Sequence, residues 1–121
     1  IKNKYDFYEF EKNVAKPNFV QLSEVTAKIL DLTRFKNFKN INLDNKIILL
    51  ESADPGYDFI FSSNIVGLIT RYGGANSHMT IRCIDEGIPA AIGVGSLLYE
   101  KLKTSNIVNI NAKQKTINII N

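Results

Sequence analysis

The run Tyr72-Gly73-Gly74-Ala75-Asn76-Ser77-His78-Met79-Thr80 holds the one histidine of the chain. Imidazole is a good nucleophile near neutral pH, and the phosphoramidate it forms stays reactive enough to pass its phosphoryl group on. The neighbouring residues favour that chemistry. Two glycines let the backbone turn sharply and come close to a bound group. A helix opening at Ser77 leaves its first N–H groups unpaired, with the positive end of its dipole toward the loop. Such a helix start is an anion site suited to phosphate. It stabilises the charge of a phosphorylated ring and favours the neutral imidazole before reaction.

Ser77 fits the N-cap of that helix, and its hydroxyl is also a candidate contact for phosphoryl oxygens. Arg82 follows His78 by four residues and so shares its helical face, where a guanidinium would clamp a phosphoryl group. The candidates are therefore His78 as the catalytic residue, with Gly73, Gly74, Ser77 and Arg82 as phosphate contacts. Each has a plainer use as well: a surface histidine, a glycine turn, a helix cap, a solvated arginine. No cluster of His, Cys and carboxylates has metal-ligand spacing, so no metal site is expected.

The elements that must position these residues follow from the pattern of apolar residues. Ile47-Ile48-Leu49-Leu50 reads as a buried strand, broken by the turn Asp54-Pro55-Gly56. Tyr57 to Ser63 reads as a short helix or turn, and Ile65 to Thr70 as a second buried strand. Ser77 to Glu86 is predicted helical, closed by Gly87 with Pro89 beyond it. Ala90-Ala91-Ile92 makes a third strand, and Leu97, Leu98 and Leu102 anchor a further short helix. Val108, Ile110 and Ala112, then Ile117 and Ile119, alternate as two strands of a hairpin turning at Lys113-Gln114-Lys115. Strands alternating with helices give an α/β fold class with a largely buried sheet.

The first forty residues read differently. Ile1 to Lys16 mixes Tyr5, Phe7, Tyr8 and Phe10 with charges and has no steady period, as expected of a linker. Pro17 to Gln21 is expected to be extended. Ser23 reads as a helix N-cap, with Val25, Ile29, Leu30 and Leu32 on one helical face. Phe35 to Phe38 reads as a surface turn. The domain organisation expected is thus a linker with a helical or extended segment over 1–40, and a domain over 41–121.

Bulk properties narrow the function classes. The chain has 121 residues, 45% hydrophobic and 22% charged, which suits one soluble globular domain. No apolar run approaches the ~20 residues of a membrane span. The net charge of +3 is spread over scattered lysines, which argues against a nucleic-acid partner. A single cysteine, Cys83, points to a reducing, cytoplasmic setting. The chain opens at Ile1 without Met, as expected of an excised domain or processed piece.

Taken in order, these residues resemble the mobile phosphohistidine domain of the phosphoenolpyruvate-utilising enzymes, a family that includes phosphoenolpyruvate synthase, pyruvate phosphate dikinase and the rifampin phosphotransferases. The family pattern of a strand, Gly-Gly-x-x-Ser-His, a helix and Gly-Ile-Pro-Ala is matched by Gly73-Gly74-Ala75-Asn76-Ser77-His78 and by Gly87-Ile88-Pro89-Ala90-Ala91-Ile92-Gly93. Ala53-Asp54-Pro55-Gly56-Tyr57 is similar to an Asp-Pro-Gly-aromatic turn in part of the family. The resemblance implies a compact swivelling β/β/α phosphohistidine domain of a larger phosphotransferase, with Ile1–Lys16 as its hinge. It implies that His78 carries a phosphoryl group, on Nε2, between an ATP site and a second site handling phosphoenolpyruvate, pyruvate or another small acceptor. The partners implied are an ATP-grasp-type nucleotide-binding domain and an acceptor or phosphoenolpyruvate-binding domain of the same parent chain. ATP and Mg belong to those domains; no cofactor is expected in this one, which alone is not expected to complete a reaction. A non-catalytic binding module that retains the swivelling fold is the alternative.

Two departures from the pattern bear on the site. The usual arginine position is Ile84, and an arginine stands two places earlier, at Arg82. Two residues turn a helical side chain by about 200°, so Arg82 does not inherit that arginine's role directly. Asn76 stands where dikinases often carry a regulatory threonine, so control through that residue is not expected here.

Overall fold

The computed structural model describes residues 6–9, 17–36 and 40–121, the first stretch by its backbone. Along the described chain run strands β1 (Asp6–Glu9), β2 (Asn18–Val20), β3 (Glu24–Asp31), β4 (Lys46–Ser52), β5 (Gly67–Tyr72), β6 (Ala90–Ile92), β7 (Ile107–Asn111) and β8 (Thr116–Ile119). They form one mixed sheet in the order β1-β8-β7-β3-β4-β5-β6-β2. The centre, β3 to β6, is parallel. The flanking pairs are antiparallel, with β7 against β3 and β8, β1 against β8, and β2 against β6. Helices α1 (His78–Glu86) and α2 (Ser96–Leu102) and a 3-10 helix over Pro55–Ser62 complete the α/β domain. None of the described helices is long and apolar enough to cross a membrane.

The unbroken apolar run of β4 follows from its position, because a central parallel strand is covered on both faces. Ile47 and Leu49 join Leu98, Tyr99 and Leu102 of α2 in one buried cluster. Ile48 and Leu50 join Met79 and Cys83 of α1, and Ile60 of the 3-10 helix, in the other. Each such burial contributes about 1.5–3 kcal/mol, more than a helix cap at about 1 kcal/mol. Packing therefore sets where α1 lies, and the cap sets where it begins. Met79, Thr80 and Cys83 are the buried residues of α1. With 3.6 residues per turn, His78, Ile81, Arg82 and Asp85 must then occupy the other face.

The short helix at 55–62, the strands near 47 and 67, the helix from Ser77 and the terminal hairpin stand where the sequence predicts them. The segment after Ser23 does not. It is strand β3, not a helix, and it lies between β4 and β7 of the same sheet. From Glu24 to Ile29 exposed and half-buried positions alternate strictly, with Val25, Ala27 and Ile29 turned to the α2 side. Two-residue alternation rich in β-branched side chains is a strand pattern, and it overrides the looser helical spacing of Val25, Ile29, Leu30 and Leu32. Leu32 belongs instead to a one-turn 3-10 helix over Leu32–Arg34 capped by Asp31. The expected hinge Ile1–Lys16 lies outside the described residues except for β1. Residues 37–39 lie outside them as well, and with them part of the turn expected over Phe35 to Phe38.

Candidate functional site

The site sits where β5 ends and α1 begins, and two glycines make that junction possible. Gly73 has φ +140, and a Cβ there would fall 2.8 Å from both Ala53 Cβ and Ile92 Cγ2. Gly93, at the end of β6, presses on the same turn: a Cβ on it would fall 2.5 Å from the Gly73 carbonyl oxygen. Its N–H donates to the Thr70 carbonyl at 3.0 Å and to Thr70 Oγ1 at 3.1 Å. The adjacent ends of β5 and β6 are thereby tied together. Gly74 differs, since a Cβ on it would meet nothing within 4 Å.

The start of α1 is fixed by hydroxyls. Ser77 is the N-cap, and its Oγ accepts from the Thr80 N–H at 3.3 Å. Thr80 Oγ1 donates to the Gly74 carbonyl at 2.8 Å and lies 2.9 Å from Ser77 Oγ. Thr80 has one hydroxyl hydrogen and spends it on Gly74, so Ser77 must donate to Thr80. Ser77 therefore serves as a cap, with its hydrogen engaged. His78 and Met79 hold the first two helical positions, whose N–H groups have no acceptor within the helix and carry the positive end of its dipole.

His78 projects from this helix start with its side chain 41% exposed, so it is open to a partner molecule. Its Nε2 lies 2.8 Å from Oδ1 of Asp58, on the 3-10 helix. Arg82 reaches the same oxygen, with Nε at 3.4 Å. The Arg82 guanidinium also stacks on the Phe61 ring, 4.7 Å from its centroid, and pairs with Glu86 at 3.5 Å. Its Nε is buried and makes no hydrogen bond, the Asp58 oxygen lying in ion-pair range without completing one. The structure thus brings His78 and Arg82 together through one carboxylate. Ser77 and the glycines precede His78 in the chain, and Ile84 turns away, half exposed, with its carbonyl accepting from Gln21 Nε2 at 2.7 Å.

Asp58 is the residue that sequence reasoning misses. It directly follows the Asp54-Pro55-Gly56-Tyr57 turn, in which Asp54 Oδ1 accepts from the Gly56 N–H at 2.8 Å and caps the 3-10 helix. That turn was legible; the pairing of Asp58 with a histidine twenty residues later depends on how the 3-10 helix packs against α1. Beneath the site lies Cys83, buried, its thiol pushed up to about 12 by burial while the charge of Arg82 pulls slightly the other way. It is an inert packing residue.

A family model described as PEP-utilising enzyme, mobile domain, matches residues 42–115, more than half of the chain. No curated protein gives a match.

Proposed function

This chain belongs to the PEP-utilising enzyme mobile-domain family, and from that premise we propose that it is the phosphohistidine carrier of a larger, phosphoenolpyruvate-synthase-like phosphotransferase, with His78 as the carrying residue. The observation that carries this reading is the placement of an exposed imidazole on the first residue of α1, at the positive end of the helix. An incoming phosphoryl group there meets the free N–H groups of the helix start. The imidazole lone pair attacks phosphorus, the bond to the donor's leaving group breaks, and the phosphoramidate is later cleaved in the reverse sense by the acceptor. Carrying the group splits one transfer between distant substrates into two short ones.

In this reading ATP and Mg are bound by an ATP-grasp-type domain of the same parent, and the acceptor or phosphoenolpyruvate by another, in the cytoplasm. Gly73 shapes the loop, Gly74 leaves its outer side open, and Arg82 supplies positive charge beside the ring. The test is the intact mass of the full-length protein after ATP or phosphoenolpyruvate, wild type against His78→Ala. An acid-labile, base-stable phosphate adduct in the wild type alone is expected, and the donor that produces it is identified at the same time. A folded protein that takes up no phosphate from either donor sinks the reading. The second reading, a binding module that keeps the fold, rests on a specific observation: Nε2 of His78 and the hydroxyl of Ser77 are both engaged within the domain.

A further inference from the structure

The geometry points to Asp58 as a displaceable cap on Nε2 of His78, a positioning residue that keeps this nitrogen protonated and covered until its carboxylate moves to Arg82; this rests on the carrier reading above.

The argument begins with proton placement. A carboxylate only accepts hydrogen bonds, so at 2.8 Å from Asp58 Oδ1 the Nε2 of His78 must carry the hydrogen. In the neutral ring the lone pair then sits on Nδ1, which has no hydrogen-bond partner among the described residues. A protonated nitrogen is not a nucleophile, and the line along which phosphorus must approach Nε2 is occupied by the carboxylate. Phosphorylation at Nε2 therefore requires Asp58 to rotate away and the ring to carry its proton on Nδ1.

The second observation is independent of the first. Arg82 Nε is buried, lacks a hydrogen bond and lies 3.4 Å from the same Asp58 oxygen. The guanidinium is held in place by Phe61 and Glu86. A side-chain rotation of Asp58 thus exchanges one hydrogen-bond donor for another already waiting, and the charged carboxylate is never left alone. A phosphoryl group on Nε2 repels Asp58 and so holds it on Arg82. The cap is weak enough to be moved: both members of the pair are more than 40% exposed, and exposed pairs of this kind shift an equilibrium only about two- to five-fold.

A small chemical donor tests the cap without any partner domain. Potassium phosphoramidate is incubated with this chain, whose single histidine makes every phosphohistidine formed His78. The lone pair of the attacking nitrogen bonds to phosphorus, the P–N bond of the donor breaks, and ammonia departs with its electron pair. Phosphorus NMR separates the Nε2 and Nδ1 products, and their ratio of initial rates is the readout. Asp58→Ala is expected to raise the Nε2-to-Nδ1 ratio about two- to five-fold over wild type. Removing a negative charge speeds attack at both nitrogens, whereas removing a cap changes their ratio. Asp58→Ser, too short to reach Nε2, gives the same direction if alanine unfolds the domain. Arg82→Gln, which withdraws the alternative partner, lowers the ratio. A folded Asp58 variant with an unchanged or lower ratio overturns the proposal. Failure of the ATP and phosphoenolpyruvate experiment leaves this result untouched, so the two readings fail separately.

Discussion

Nε2 of His78 lies 2.8 Å from Oδ1 of Asp58, although the two residues stand on different elements and twenty positions apart. The contact joins α1 to the 3-10 helix, yet both side chains are nearly half exposed, and solvent screens the pair. The elements are held by Met79, Cys83 and Ile60 beneath. Asp58→Ala is therefore expected to change urea-unfolding stability by no more than about 1 kcal/mol. A loss well above that would make Asp58 a structural residue, and would require its chemical effects to be reread.

How much of this was legible depended on the range of the interaction that decides each feature. Ser77, His78 and Gly87 declare the start and end of α1 through local chemistry, and the structure places them so. Ile47 to Leu50 declares a buried strand because burial on both faces leaves no room for alternation. Val25 to Ile29 carries a local strand alternation that the neighbouring Leu30 and Leu32 obscure, since Leu30 is half-buried near the end of β3 and Leu32 buried in the turn after it. The pairing of Asp58 with His78 and Arg82 was not legible. No local propensity reports how a 3-10 helix packs against a helix twenty residues away on the same face of the sheet.

The two glycines before the site are predicted to behave differently. Alanine at position 73 meets Ala53 and Ile92 at 2.8 Å on a backbone with φ +140, combining strain with overpacking. Each costs about 1–3 kcal/mol, so Gly73→Ala is expected to lose about 2–6 kcal/mol of stability. Gly74→Ala, with open space around its Cβ, stays within about 1 kcal/mol of wild type. Chemical denaturation of the two variants decides the matter. Equal losses would mean that the tight contact of Gly73 with Ala53 and Ile92 is not what shapes the loop.

Ser77 and Thr80 form one hydroxyl network with the Gly74 carbonyl. Ser77→Ala removes the cap, at a cost of about 0.5–2 kcal/mol. Thr80→Val removes the second donor to the Gly74 carbonyl, which keeps the Ser77 N–H, and the acceptor of the Ser77 hydroxyl hydrogen, at about 0.5–1.5 kcal/mol for each lost bond. Because each change dismantles the same network, the double variant is expected to lose at least about 0.5 kcal/mol less than the two single losses added. Strict additivity in a double-mutant cycle would show that Ser77 is not committed to Thr80.

Cys83 gives the domain a predictable alkaline weakness. Burial raises its thiol from an ordinary value near 9 to about 12 in the folded state. Below pH 9 the thiol is protonated in folded and unfolded chains alike, and stability is unaffected by it. Between 9 and 12 the unfolded chain releases a proton that the folded one keeps, so stability falls as pH rises, by about 1.4 kcal/mol per unit once well above 9. Cys83→Ala removes this part of the slope, and the difference between the two proteins isolates it from lysine and tyrosine titration. The same burial leaves about one thiol in ten thousand ionised at pH 8, so thiol reagents should modify Cys83 only as fast as the domain opens. Equal pH slopes for wild type and Cys83→Ala, or rapid labelling of the native protein, would place Cys83 nearer solvent than the packing of α1 on β4 allows.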